Sequence, residues 1–318
     1  MIVHTLRKLL PKVIKSFILR VIDHPAGKKV FVFLNDLDTL LTKIFYKNKE
    51  YYSFKFNGHN VVGNVRFSQG TNDDSIYKVI TEILKSIEIN DSDYLFDIGS
   101  NIGLTSIVMS DASFQRANII AFEPGNQVKF LRKNVESCKL GSVIKVEEMA
   151  VYSQETTIDL YTYDESIVDS RIFLDDDWLK RNHNKIHRKT VQTCTFDQYI
   201  AKNKIDIEKV KFIKIDCQGA EPFIFDSMFE KIEPPKNINI VTEFWPYAIL
   251  KMDRDPEELL LKIFSKFSNF NIYYFLNNST SVLIHSIEEV MTLLNTLGTN
   301  ESQYCDIVIT KTLLNRGA

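Results

Sequence analysis

Asp97, Gly99, Asn101 and Gly103 lie within seven positions of one another in DIGSNIGLTS, after the apolar run YLF and before a stretch of helical pattern. That order predicts a turn from a strand into a helix, where open α/β sheets hold nucleotides and their relatives. A dinucleotide turn carries Gly-x-Gly-x-x-Gly, so that backbone can approach a pyrophosphate at the helix N-terminus. Here the spacing is Gly99-x-x-x-Gly103 with Asn101 in the middle, which argues against a NAD-dependent oxidoreductase. Asp97 would repel a phosphate but can accept hydrogen bonds from a cationic amine. Glu123 closes the next strand, where a carboxylate can take both hydroxyls of a ribose. The two acids bracket a ligand with an amino acid end and a nucleoside end, which is the description of S-adenosylmethionine.

A second group of acids stands further along the chain, in KIDCQGAE and VTEFWP. Methyl transfer from a sulfonium is an in-line displacement whose thioether leaving group needs no acid. An acceptor hydroxyl must be held close to the methyl and relieved of its proton by a base or a metal. Asp216 ends the fourth expected parallel strand and Glu243 ends the strand placed beside it, so both side chains should emerge at the carboxyl edge of the sheet. Neighbouring strands about 4.8 Å apart would bring them to one hydroxyl, or to one oxygen-liganded divalent cation. Asp216 is the candidate general base or cation ligand and Glu243 its partner; capping of a helix or binding of ordered water is the structural alternative. Lys214 alternates with Asp216 on one face of its strand and calls for a carboxylate partner. Trp245 and Tyr247 offer an aromatic wall for a sugar ring, or core packing. His183 and His187 lie four apart, a helical spacing without the intervening Glu of a zinc protease motif; they are expected at the surface, with a role as an alternative base if the segment closes over substrate.

These groups need a framework, and the hydrophobic pattern supplies it from Tyr94 onward. YLFDI, NIIAFE, VIKVEEMAV, KFIKID and NINIVTEF are expected strands, separated by helical segments at LTSIVMS, QVKFLRKNVESC and EPFIFDSMF. Near-continuous apolar strands alternating with helices predict a parallel sheet covered on both faces. IYYFL and CDIVIT are expected closing strands, one of them antiparallel. An irregular polar insert at 163–188, acids first and bases after, is expected to act as a lid or specificity loop. Ahead of the sheet, YYSFKFNGHNVVGNVRFS predicts a small hairpin and DDSIYKVITEILKSIEI a helix with Ile76, Val79, Ile80, Ile83, Leu84 and Ile87 on one face.

The first segment carries Arg7, Lys8, Lys12, Lys15 and Arg20 with no acid before Asp23, while Leu6, Leu10, Val13, Phe17 and Val21 recur at helical spacing. It predicts a basic amphipathic helix, interrupted or restarted at Pro11, suited either to an anionic membrane surface or to packing on its own domain. The whole chain of 318 residues has 39 basic and 41 acidic side chains, a formal net charge of −2 and 44% hydrophobic content. It can bury a large core, and no global basic field marks a nucleic-acid partner. Cys138, Cys194, Cys217 and Cys305 show neither a CxxC nor zinc-ligand spacing, so reduced thiols in a cytoplasmic protein are expected. No apolar run approaches the about 20 residues of a membrane span, and no signal-peptide cleavage site is evident.

LFDIGSNIGLTSI, IIAFEPGNQVKFLRKNV, EMAVYS, CTFDQYI, FIKIDCQGAEPFI and IVTEFWP fall in the order and at the intervals of the FkbM-type methyltransferases, which the chain resembles from about Tyr94 to Phe264. The resemblance implies the class I methyltransferase fold, an α/β, Rossmann-like, doubly wound and mostly parallel sheet. It implies S-adenosylmethionine as cofactor, held by Asp97, Gly99, Ser100, Asn101, Gly103, Glu123, Pro124 and Ala150, and O-methylation of a sugar, glycan or related secondary metabolite. A methyltransferase domain over 71–318, preceded by an extension over 1–70, is the expected organisation. Contact with the inner face of a membrane through the first helix is a further expectation. One position departs from the family pattern: Gln218 stands where an acid is usual, keeping the hydrogen-bonding shape without the charge. A catalytically inactive methyltransferase-like binding domain is the alternative that this departure leaves open.

Overall fold

The computed structural model describes residues 52–63, 74–163, 166–174, 186–276, 281–301 and 303–314. The expected N-terminal helix and His183 lie outside the described residues. Residues 54–62 and 72–318 form one compact unit; the other, Met1–Ser53 with Gly63–Thr71, falls almost wholly outside them.

The first element is a hairpin of β1 (Tyr52–Phe56) and β2 (His59–Gly63). Asn57 and Gly58 between them both have positive φ, 48° and 85°, as a type I′ turn requires and as the Asn-Gly pair predicts. Helix α1 (Asp74–Ser86) follows, with Val79, Ile80, Ile83 and Leu84 buried.

Then come β3 (Tyr94–Ile98), α2 (Leu104–Ala112), β4 (Asn118–Phe122), α3 (Val128–Ser137) and β5 (Ile144–Glu147). After an intervening small sheet the alternation resumes with α4 (Phe196–Lys202), β10 (Val210–Ile215), α5 (Glu221–Ser227) and β11 (Asn239–Phe244). α6 (Pro246–Lys251), α7 (Pro256–Lys266), β12 (Asn271–Leu276), β13 (Val282–Ile284), α8 (Ile287–Leu297) and β14 (Cys305–Thr310) complete the chain.

The main sheet has the order β13-β12-β14-β11-β10-β3-β4-β5. β11, β10, β3, β4 and β5 are parallel, and β14 is antiparallel to both of its neighbours. From β3 the chain winds outward through β4 and β5, then returns to place β10 on the other side of β3. The order therefore reverses between β3 and β10, and a crevice for ligand opens at their carboxyl ends. Because β3, β4 and β10 are buried on both faces, their apolar residues run almost without interruption. Phe96 and Phe122 stack 6.4 Å apart on one side, and Tyr199 packs edge to face on both while Phe196 does so on Phe96 at 5.1 Å.

Two expectations are corrected. VIKVEEMAV is not one strand: β5 stops at Glu147, and β6 (Ala150–Val151) leaves for a separate four-stranded sheet of order β6-β9-β7-β8. The supposedly irregular insert contains β8 (Ser166–Arg171), paired antiparallel with β7 (Thr157–Tyr163), while β9 (Ile186–Cys194) begins inside its far end. The pairing of β8 depends on a partner strand outside the insert, which the polar composition of the segment does not record.

Candidate active site

The glycine turn joins β3 to α2, and its shape is imposed by backbone packing. Gly99 has φ +80°, and a Cβ there would stand 1.9 Å from the Asp216 carbonyl oxygen. The Asp216 amide donates to the Ile98 carbonyl at 3.0 Å, so the ends of β3 and β10 are in backbone contact. Gly103, φ +91°, leaves room for Leu131 of α3, whose Cδ1 would be 2.5 Å from an added Cβ. The Gly99 and Ser100 amides both donate to the Phe122 carbonyl, 3.1 and 2.9 Å away. Behind the turn, Asn134 of α3 is fully buried; its side chain donates to the Ile102 and Val62 carbonyls and accepts from the Val62 amide. The hairpin thus braces the loop.

Glu123, just past β4, lies beside this turn. One carboxylate oxygen accepts from the Asn101 amide at 2.8 Å and the other from the Gly125 amide at 2.7 Å. Burial raises its pKa to about 6, against the pull of those two amides.

Asp97 is fully buried at the end of β3. Its Oδ2 accepts from Ser106 Oγ of α2 at 2.5 Å, while Oδ1 has no hydrogen-bond partner among the described residues and lies 3.8 Å from Lys214 Nζ. Burial raises its pKa, with Lys214 and Ser106 opposing the shift. The Lys214 ammonium also pairs with Asp216 Oδ2 at 3.2 Å and donates to the Gly99 carbonyl at 3.1 Å. Burial alone would lower its pKa, but Asp216 and Asp97 together raise it, so Lys214 is a cation shared by two carboxylates. The expected ion pair therefore links the glycine turn to Asp216.

Register places Lys214 beside Val241 and Ile215 beside Thr242, so the next residues, Asp216 just past β10 and Glu243 near the end of β11, stand side by side. Gln218 joins them. It has φ +54° and precedes Gly219 at φ +95°, a turn that folds its amide back over the strand ends. Nε2 donates to Asp216 Oδ1 at 3.1 Å and to Glu243 Oε2 at 3.3 Å. Glu243 has its pKa raised well above the ordinary carboxylate value by burial and then by the charges of Asp216, Glu221 and Asp306. Glu221 of the same motif is turned inward: it is fully buried at the start of α5, where it accepts from the Cys217 amide at 2.7 Å.

The remaining expected residues lie further out. The Pro124 carbonyl accepts from Lys189 Nζ at 2.9 Å, and Ala150 faces Leu160 and Val191 in the small sheet. Trp245 does not form an open wall. It is 5% exposed, its Nε1 donates to the Glu301 carbonyl at 3.0 Å, and the Arg171 guanidinium lies 4.9 Å from its ring. Tyr247 packs beside it at 5.8 Å. His187 is in β9, an extended strand, so the helical spacing that would have paired it with His183 does not apply. Among the described residues, no group of three His, Cys, Asp or Glu side chains is gathered as for a metal ion.

Three contributors carried no signal in the sequence. Ser106 fixes Asp97; Ser170 accepts from Gln127 Nε2 at 2.9 Å; buried Arg171 reaches Trp245, Phe173 and, at 3.6 Å, Glu301. Ser106 closes the DIGSNIGLTS stretch without a type or spacing that marks it, whereas Ser170 and Arg171 act across long sequence separations on Gln127 and Trp245.

The sequence family described as Methyltransferase FkbM domain matches residues 97–269, the span holding the glycine turn, Glu123, Lys214, Asp216, Gln218 and Glu243. The chain belongs to this family of methyltransferases, and its α/β sheet has the class I methyltransferase arrangement. No curated protein matches it significantly. Among solved structures it is similar to a methyltransferase FkbM from Methylobacillus flagellatus KT, with 13% identity, a TM-score of 0.39, and coverage of 70% of this chain and 44% of that one. This chain thus spans less than half of that protein's length. It is also similar to a SAM-dependent methyltransferase from Agrobacterium tumefaciens, with 8% identity, a TM-score of 0.46, and coverage of 83% and 72%. A third is an O-methyltransferase from Bacillus cereus in complex with SAH, with 10% identity, a TM-score of 0.40, and coverage of 75% and 81%.

Proposed function

We propose that the chain is an S-adenosylmethionine-dependent O-methyltransferase acting on a hydroxyl of a sugar, glycan or related secondary metabolite. One observation carries the reading: Asp97 and Asp216 share the ammonium of Lys214, and Asp97 Oδ1 accepts no hydrogen bond among the described residues. Carboxylates in excess of the cation facing them suit a ligand with an ammonium and a sulfonium and repel a pyrophosphate. Asp97 would take the amino group, and Glu123, set by its two amides, the ribose hydroxyls. Gly99, Ser100, Asn101, Gly103, Pro124 and Ala150 would line the same cofactor.

When bound, that cofactor supplies a methyl group on a positively charged sulfur. The protein's part is to hold the acceptor hydroxyl in line and to receive its proton, and Asp216 with Glu243 is the pair placed for both. The residues do not favour a divalent cation there, because Gln218 already presents N–H to both carboxylates. The basic first segment would bring the enzyme to an anionic membrane surface, a suitable place for methylating a surface polysaccharide.

Calorimetric titration of the full chain with S-adenosylmethionine and, separately, NADH tests the cofactor. Transfer of labelled methyl to neutral glycans, compared with sugar phosphates, tests the acceptor. Saturable S-adenosylmethionine binding and label on a neutral hydroxyl are expected. NADH binding without S-adenosylmethionine binding would overturn the reading.

A further inference from the structure

Asp216 and Glu243 stand side by side, yet the protein treats them unequally. Asp216 has a donor for each oxygen: Lys214 Nζ on Oδ2 at 3.2 Å and Gln218 Nε2 on Oδ1 at 3.1 Å. Among the described residues, Glu243 has the Gln218 amide alone, at 3.3 Å on Oε2, and no cation within ion-pair distance. A buried carboxylate with a single neutral donor and a carboxylate neighbour takes a proton more readily than one in water. The upward shift of Glu243 agrees with that geometry.

We infer that Gln218 is a positioning residue that divides the work of the pair, holding Asp216 in place on Lys214 and aiming Glu243 Oε1 at the acceptor as general base. The division runs opposite to the expectation that made Asp216 the base. It rests on the acceptor-site reading above. In the step it implies, the acceptor O–H proton goes to Glu243 Oε1, the oxygen forms its bond to the methyl carbon, and the carbon–sulfur bond breaks to leave a neutral thioether. A base works best when its proton affinity is matched to the working pH, and the raised value of Glu243 moves it toward that match.

The arrangement also accounts for an amide at position 218. Its two N–H bonds serve both acids at once, whereas a third carboxylate would offer neither acid a donor unless protonated and would compete for Lys214.

Infrared difference titration of the full chain, without acceptor, tests the proposal. Glu123 and Glu221 also carry raised pKa values, so the signal is taken as wild type minus variant. A protonated-carboxyl band lost on raising the pH should vanish in Glu243→Gln. In Asp216→Asn it should persist with a lower midpoint, since a repelling charge is gone. Loss of the band in Asp216→Asn with retention in Glu243→Gln would make Asp216 the proton carrier and overturn the inference. Gln218→Met should raise the midpoint by about one pH unit, a tenfold gain in proton affinity, because the donor to the anion is lost. Should that variant fail to fold, the near-isosteric Gln218→Glu must raise the midpoint too. An unmoved midpoint in a folded variant removes Gln218 from the role. Wild-type titration with S-adenosylmethionine keeps the two failures apart: absent binding sinks the proposed function, whereas binding with the wrong band assignment sinks only this inference.

Discussion

At the scale of single residues, Glu123 shows how burial and ligand binding oppose each other. Its ordinary pKa is 4.5 and its folded value about 6, so the folded apo-protein keeps a proton that the unfolded chain has lost. The stability this contributes is full below pH 4.5 and disappears as the pH rises through about 6. Denaturation curves across that window should show falling stability with rising pH, and Glu123→Gln should flatten the slope. Accepting ribose hydroxyls requires the anion, so cofactor affinity should rise over the same window and binding should release a proton, measurable by calorimetry in buffers of different ionisation enthalpy. Glu123→Ala and Asp97→Ala should each weaken binding by roughly 1.5–3 kcal/mol, the range for hydrogen bonds to charged groups. Unchanged titration curves in both would remove the cofactor assignment. These acids were legible because strand-end carboxylates after a glycine turn form a local pattern. The bridging role of Gln218 was not, since it depends on a positive φ and on a partner 25 positions away.

At the scale of elements, the two glycines of the turn have different reasons to be glycine. An added Cβ at Gly99 meets backbone, the Asp216 carbonyl at 1.9 Å, while one at Gly103 meets the end of a leucine side chain that can rotate. Both would carry a left-handed penalty of about 1–2 kcal/mol. Only Gly99→Ala must also push β3 away from β10. Urea denaturation should therefore show a clearly larger loss for Gly99→Ala than for Gly103→Ala, and equal losses would refute the backbone explanation. The same contact explains why the parallel sheet was readable while its surroundings were not. Strands buried on both faces write their identity in continuous apolar residues. The departure of β6 at Ala150 and the pairing of β8 depend on which edge is free, and the residues of those strands do not record that.

At the scale of the molecule, charge is the organising feature. The net charge of −2 hides a basic first segment and acids gathered at the sheet's carboxyl edge. The proposed membrane contact predicts that the full chain co-sediments with anionic vesicles at low salt and is released by added salt, and that a chain beginning at Val30 does not bind. Failure of the full chain to bind at low salt would mean that the segment packs on protein instead. A second long-range device lies across the site. From β8, Ser170 meets Gln127 beyond the Glu123 loop, and the next residue, Arg171, stacks on Trp245 beyond Glu243. Adjacent residues of one strand thus reach the Glu123 side and the Glu243 side of the crevice. Arg171 is 5% exposed, whereas its ion-pair partner Glu301 is about one-third exposed, so the ring contacts to Trp245 and Phe173 should outweigh the ion pair. Arg171→Lys keeps the charge but loses the planar stacking surface. It should destabilise the protein by about 1–2 kcal/mol, nearly as much as Arg171→Met, and Glu301→Gln should have a much smaller effect. Thermal denaturation of the three variants decides it. A Glu301→Gln loss matching that of Arg171→Met would show that the ion pair, rather than the stacked ring, fastens the strand across the site.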